Sequence, residues 1–362
     1  MFSMTLIDAI FNFFKFLCIL ATAFMVGFWL VKFKQDHDVT LIEYKAIEDF
    51  DELIHPVTTL CFYNSFYMNK SLNARGYIDY LKGKRKDVNR YHDIDYDKVS
   101  VNLHEHFRKI TIRWKPSKTP SDFPCKDVND CQYYNLKNNY NGFSNEGHFI
   151  KCFGIEVNKT YAKDVSSMSI FFNKNLKNAI GTSWMVQAFF NYPNQFTRPR
   201  GGPITIWQKK EKNGSHYNNW EFIQITSIEL LKRRNKRDEK CTTQWSRFDD
   251  LLLERHVKNV GCRAPYISDF AEFPMCNTQV GMKKSSYWGL SLQKAYNLED
   301  PCQEMPNIDF KHAAIRTYNL NVFGVQIGFP LKGKIITQLQ EVDAHSLIGN
   351  IGGYIGLFLG KF

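Results

Sequence analysis

Residues 347–360 read LIGNIGGYIGLFLG, and the reading of this stretch decides the fold. Its glycines repeat at four-residue intervals, Gly349 with Gly353 and Gly352 with Gly356 and Gly360, which collects them on one stripe of an α-helix. A glycine costs a water-exposed helix about 1 kcal/mol relative to alanine, so a helix that keeps this many needs neighbouring backbones close by. In lipid, small residues at this spacing form the contact faces between helices. The competing reading is an irregular glycine-rich loop, for which Leu347, Ile348, Ile351, Ile355, Leu357, Phe358 and Leu359 are poor residues. The stretch is therefore predicted to be a membrane helix packed against copies of itself.

A second apolar element lies near the N-terminus. Phe16–Val31 (FLCILATAFMVGFWLV) carries no charge, and Phe11, Phe13 and Phe14 extend it behind Lys15. A bilayer core asks for about 20 mostly apolar residues, and a lysine near the end of such a span reaches the headgroups along its own stem. The rival is a cleaved signal peptide, but the run has no basic leader and no evident small-x-small cleavage site. An uncleaved anchor is the expectation. Flanking charge leaves its orientation open, because Lys15 lies on one side and Lys32 and Lys34 on the other.

Residues 35–345 separate the two apolar elements and are long enough for a large core or two to three subdomains. Of nine cysteines, Cys18 falls in the first span, and the remaining eight form an even set. Three sequons, at Asn69, Asn158 and Asn213, share that region, and sequons with paired cysteines point to an oxidising, glycosylated compartment. Zinc is the rival use of the cysteines. No CxxC pair occurs, however, and His104-Glu105-His106 lacks the HExxH spacing. The net charge of +11 includes clusters at Lys82–Lys86 and Lys232–Lys240, which on a glycosylated exterior read as solvated loops rather than a nucleic-acid surface. Within the second cluster, Arg234-Asn-Lys-Arg237 has the RxKR spacing that secretory-pathway proteases cut.

Alternation of apolar and polar residues predicts a half-buried strand at Thr317–Val322. Further strands are expected at Val57–Phe62, Ile110–Trp114, Met168–Phe172, Met185–Phe190, Pro203–Gln208, Phe222–Ile228 and Ile335–Val342. One helix is expected between them, with Ser246 and Asp249 spaced as a capping box, Leu251–Leu253 and Val257 as its apolar face, and Gly261 as its stop. A helical unit bracketed by Cys241 and Cys302 thus follows a mainly β region. The fold class is α+β.

Four places carry a family likeness: His55-Pro-Val-Thr-Thr-Leu-Cys61-Phe soon after the first span, Gly261-Cys262-Arg-Ala-Pro-Tyr with Pro274-Met-Cys276, Pro301-Cys302-Gln-Glu-Met-Pro, and the glycine-rich stretch 347–360. In this order between two spans, they resemble the superfamily of epithelial sodium channels, degenerins and acid-sensing channels. The resemblance implies a homo- or hetero-trimer in the plasma membrane, each subunit crossing the bilayer twice. It implies residues 1–34 as a short cytoplasmic stub and first helix, 35–345 as the extracellular domain, and 346–362 as the start of the second, pore-forming helix. Within the extracellular domain it implies a thumb at about 241–305 and palm strands over 316–342. The cysteines would pair as Cys61–Cys152, Cys125–Cys131, Cys241–Cys302 and Cys262–Cys276, one of 105 possible connectivities.

By the same likeness the chain is expected to carry sodium in an amiloride-sensitive way, with Gly352, Gly353, Gly356 and Gly360 in the pore and Gly349 at a small-residue gate position of the outer mouth. Simple helix packing is the alternative role of Gly349. Asp36, Asp38, Glu341 and Asp343 are expected to concentrate cations around the mouth, against the plainer reading of solvated juxtamembrane charges. No cofactor, metal or nucleic acid is implied, and an extracellular ligand is open. Without a nucleophile elbow or metal motif, an enzyme is not expected.

Two departures bear on conduction. Where the family reads Gly-x-Ser, this chain reads Gly360-Lys361-Phe362. Leu347 to Phe362 as a helix spans roughly 24 Å against a hydrocarbon core of about 30 Å, so a second span cut short is the expectation. The His-Gly pair of the family's cytoplasmic segment also has no counterpart before Phe11. The alternative function is a non-conducting membrane glycoprotein of channel ancestry that binds a ligand or modulates other subunits.

Overall fold

The computed structural model describes residues 2–47, 55–63, 107–115, 134–143, 149–158, 160–172, 185–193, 195, 200–206, 209–210, 216–236, 238–243, 248–265, 267, 270–286, 299–317 and 324–359. The chain divides into two units. The first gathers residues 1–42, 232–234 and 336–362, and the second holds 43–231 and 235–335. The first unit thus draws in the segments flanking the helices, which the reading by linear order assigns to the extracellular domain.

The first unit is built on two helices. Helix α1 runs Phe2–Gln35 and contains, from Asp8 on, the one helix among the described residues that is long and apolar enough to cross a membrane. It outruns the predicted apolar core at both ends because the flanking Ser3–Leu6 and Lys32–Gln35 contain neither proline nor glycine to stop it. Asp36 ends it with a left-handed backbone, φ 53°, and donates its N–H to the Phe33 carbonyl at 3.3 Å. Aspartate is one of the few L-residues that adopts this conformation readily. Helix α4, Ala344–Leu359, is the glycine-rich stretch, so the helical reading holds over the loop.

The second unit is rich in sheet. Strands β2 (Val57–Tyr63), β3 (Phe107–Trp114), β6 (Val165–Phe172), β7 (Met185–Asn191) and β8 (Arg200–Ile206) coincide with predicted positions. Strand β10 is much longer than its apolar centre suggests, His216–Lys232, and β15 runs Lys332–Gln340. Strands β1 (Asp38–Ala46), β4 (Tyr134–Phe143), β5 (Phe149–Val157), β13 (Gln303–Thr317) and β14 (Gly324–Gly328) complete the larger ladders. The order β1-β15-β10-β14-β6-β3 makes up most of an eight-stranded sheet in which β13 also pairs with β10, and β4-β5-β2-β7-β8 makes a five-stranded one. Of the predicted strand Thr317–Val322, only Thr317 is described, as the end of β13.

Both sheets feed one core, in which Leu60, Phe62, Ile155, Ile170, Phe190, Ile225 and Ile327 are among the most deeply buried side chains. Burial of such side chains contributes about 1.5–3 kcal/mol each and is the main stabilising term of the unit. His55 lies buried at the start of β2, stacked on Phe329 with centroids 4.1 Å apart. Its Nε2–H donates to the Ala162 carbonyl at 2.6 Å.

Three disulfides join described residues of this unit. Cys61–Cys152 joins facing positions of β2 and β5, Cys262–Cys276 closes a short loop, and Cys241–Cys302 brackets a helical segment. That segment holds α2 (Phe248–Val260) and α3 (Gln279–Ser286). Gly261 stops α2 with φ 77° and its N–H on the Val257 carbonyl, as its sequence position predicts. Ser246, Cys125 and Cys131 lie outside the described residues, as do Asn69, Asn213, Gly360 and His104–His106.

Candidate functional site

The first unit brings together most of the residues that the sequence nominates for a site. Helices α1 and α4 pack together, meeting where α1 ends and α4 begins. On α4 the partly covered positions are Leu347, Asn350, Ile351, Tyr354 and Phe358, spaced as one helical face. On α1 the matching face is Cys18, Ala21, Thr22, Met25, Val26 and Trp29. Thr22 is tolerated there because its hydroxyl donates to the Cys18 carbonyl at 2.8 Å within the helix. Tyr354 and Phe358 stack along α4 with ring centroids 6.3 Å apart.

The glycines lie on the other side of α4. Gly349, Gly352, Gly353 and Gly356 are all exposed, and a Cβ built on any of them meets nothing within 4 Å. At 100° per residue their centre lies roughly opposite the face presented to α1. Packing among the described residues therefore gives no reason for glycine here. Ile348, Ile355 and Leu357 flank this bare stripe and are exposed with it.

A charged cluster closes the shared end of the helix pair. Arg234, just beyond β10, donates from Nη2 to Asp36 Oδ1 at 2.7 Å and Asp38 Oδ1 at 2.8 Å, and from Nε to Asp38 Oδ1 at 3.0 Å. Nη2 also reaches the Asp36 carbonyl at 3.2 Å. Desolvation works against the guanidinium charge, but the hydrogen bonds it donates to its two carboxylate partners outweigh it and raise the Arg234 pKa above its ordinary value. The arrangement also offsets the poor placement of Asp36 at the negative end of the α1 dipole. Lys32, on the last turn of α1, pairs with Glu341 at 2.5 Å, and the Glu341 N–H donates to the His37 carbonyl at 2.8 Å. The Lys32 hydrogen bond holds the Glu341 carboxyl below its usual range.

Asp343 has a different task. Its Oδ1 accepts the Ser346 N–H at 2.6 Å and its carbonyl accepts the Leu347 N–H, so it caps α4. Hydrogen bonding from Ser346, main chain first, lowers its pKa.

Each of the four carboxylates thus has a partner within this unit. Asp36 and Asp38 answer one guanidinium, Glu341 answers one ammonium, and Asp343 is committed to a helix end, so much of the field they would cast on a cation is quenched locally. Arg234 was legible in the sequence only as part of an RxKR motif. In the structure its side chain is 22% exposed and held by two acids, whereas a protease subsite would need it extended and free. Among the described residues no group of His, Cys, Asp and Glu is placed to hold a metal ion.

No protein-family model and no curated protein matches the sequence. Among solved structures the chain is similar to one described as "Cryo-EM structure of a proton-activated chloride channel", with 6% identity, a TM-score of 0.28, and coverage of 99% of this chain and 94% of that one. A likeness of that size decides neither fold nor function.

Proposed function

We propose that the chain is a subunit of a trimeric, sodium-selective and amiloride-sensitive channel of the plasma membrane, with its second unit outside the cell and α4 lining the ion path. The observation that carries this reading is the bare glycine stripe of α4, turned away from α1 and left without a partner among the described residues. Such a surface is costly unless other backbones come close to it, and three copies of α4 meeting at an axis supply them. With no side chains in the way, glycine backbones on that stripe would bring their carbonyl oxygens nearest the axis, the kind of ligand a dehydrating cation needs. The four motifs that resemble the sodium-channel superfamily support the choice of ion and blocker, and the helical segment 241–305 then serves as the thumb.

The test is electrical. Membranes expressing the complete protein, with its second span whole, should pass an amiloride-blocked sodium current that is lost in Gly352→Val and Gly356→Val but retained in Ile348→Val, which leaves the stripe open. A sodium current indifferent to both valine variants would refute the role of the stripe. Lys361, in the middle place of the family's filter, favours a second reading in which the chain modulates sister subunits without conducting. In that case the chain alone passes no current but changes the current of a conducting subunit expressed beside it.

A further inference from the structure

Residues 262–276, between α2 and α3, form a loop closed by Cys262–Cys276 and braced from within by Arg263. The Arg263 N–H donates to the Pro274 carbonyl at 3.0 Å, its Nη1 to the Ile267 carbonyl at 2.7 Å and its Nε to the Phe273 carbonyl at 3.2 Å. In return the Arg263 carbonyl accepts the Cys276 N–H at 3.0 Å. A loop tied in this way is ordered before anything meets it, so a partner has little of it left to order.

The tip of the loop is a turn, with the Phe273 N–H on the Phe270 carbonyl at 3.0 Å. Phe270 enters it with φ 63°, a left-handed backbone that glycine adopts freely and phenylalanine only at a cost. Its ring is only half covered and stacks on no other ring among the described residues, so folding alone is a poor reason to keep it there. Ala271, Glu272 and Pro274 are exposed around the same turn, and Glu272 has neither an ion pair nor a hydrogen bond among the described residues. A strained backbone that carries a bulky, half-bare side chain marks a position held for recognition.

Charge and size narrow the partner. Between its cysteines the loop carries Asp269 and Glu272 against Arg263, within a chain of net charge +11. Arg263 is engaged on carbonyls of the loop itself, which leaves at the tip a carboxylate between two phenylalanines. A cationic side chain with an apolar neighbour suits that combination, since the carboxylate and the aromatic faces both attract the charge. The turn and its flanks fall well short of the roughly 20–30 residues a side of a stable interface between folded proteins, so a short segment fits it better than a second copy of the chain.

We propose that the turn Phe270–Phe273 is a docking point for a short basic segment of a separate protein, with Glu272 taking its arginine or lysine and the two rings taking the apolar side chain beside it. This is independent of ion conduction, so it survives a failed current measurement.

The experiment uses the full chain, oxidised and purified in detergent, with random dodecapeptides displayed on phage as the probe. Selection should enrich peptides in which arginine or lysine stands beside an aromatic or aliphatic residue. Synthesised and labelled, these should bind Phe270→Gly and Glu272→Lys about tenfold more weakly or worse by fluorescence anisotropy. Phe270→Gly should melt no lower than the native chain, because relief of the left-handed backbone offsets the loss of a half-buried ring. Failure to enrich basic peptides, or equal binding to either variant, overturns the proposal. A lower melting temperature for Phe270→Gly overturns it too, since the ring would then serve the fold. Oligomers that sediment with the native chain and are lost in Phe270→Gly would make a second copy the occupant, and that result also rules out a separate partner.

Discussion

Acidification should loosen the second unit through one side chain, His55. Its imidazole is buried, stacked on Phe329, and donates Nε2–H to the Ala162 carbonyl. Desolvation is the dominant effect on its ionisation; the Ala162 hydrogen bond opposes it and the nearby Lys115 ammonium adds to it, and together they lower the pKa from 6.5 to about 4. Folding therefore favours the neutral ring, and the unfolded chain binds the proton first. The resulting stability is fully present above the unfolded pKa of 6.5 and is lost as pH falls toward 4. With those two values the loss is about 1.4 kcal/mol at pH 5.5 and about 3 kcal/mol at pH 4. His55→Phe keeps an aromatic face for Phe329 and has no proton to take up. Its missing hydrogen bond costs about 1 kcal/mol at every pH, which leaves the slope untouched. Denaturant unfolding of the purified chain, followed by tryptophan fluorescence at pH 7.5, 5.5 and 4, should show the native protein losing about 3 kcal/mol more than the variant across that range. Parallel pH dependences for the two proteins would refute the argument.

Other perturbations have similarly definite outcomes. Gly324→Ala should be severely destabilising, by roughly 3 kcal/mol or more, because its Cβ would lie 2.1 Å from the Ile170 carbonyl oxygen and 2.7 Å from the Trp220 ring; thermal melting reads this directly. Gly352→Ala, which meets nothing among the described residues, should leave that melting temperature unchanged while weakening oligomers on native gels. Arg234→Met strands Asp36 and Asp38 and should cost about 1–3 kcal/mol, with much of it recovered in the double variant that also carries Asp38→Asn. Removing Cys262–Cys276 as a pair of serines should cost about 3 kcal/mol and removing Cys61–Cys152 about 4.5 kcal/mol, since the closed loops span 14 and 91 residues; denaturant midpoints under oxidising conditions compare them.

What could be read from the chain follows the physics of each element. α1 was legible because an uncharged run has few alternatives, and β2, β6 and β7 because branched and aromatic residues cluster there. β5 was not, since it lies between β4 and β2 and is buried on both faces, so even Lys151 is inside, its ammonium 5.6 Å from the Phe153 ring centroid. A strand covered on both sides shows no alternation. β13 contains Pro306 and a largely exposed Lys311–Ile315, which mask it as loop. In α4 the sequence placed the glycines on one stripe but carried no sign of which side would meet α1. Arg234 was illegible for another reason. Its acids stand 196 and 198 residues away, and no local pattern encodes an encounter of that range.

The position of β14 has a consequence for how the molecule is made. It inserts between β10, to which it runs parallel with Trp220 opposite Gly324, and β6, where Ser167 faces Gly328. Both neighbours leave the ribosome long before residue 324 exists, so until then each presents a bare ladder of amide groups to its surroundings. Such unpaired edges invite aggregation. A lesion that delays the docking of those five residues should thus appear as retention during biosynthesis, with the few molecules that mature behaving normally at their destination.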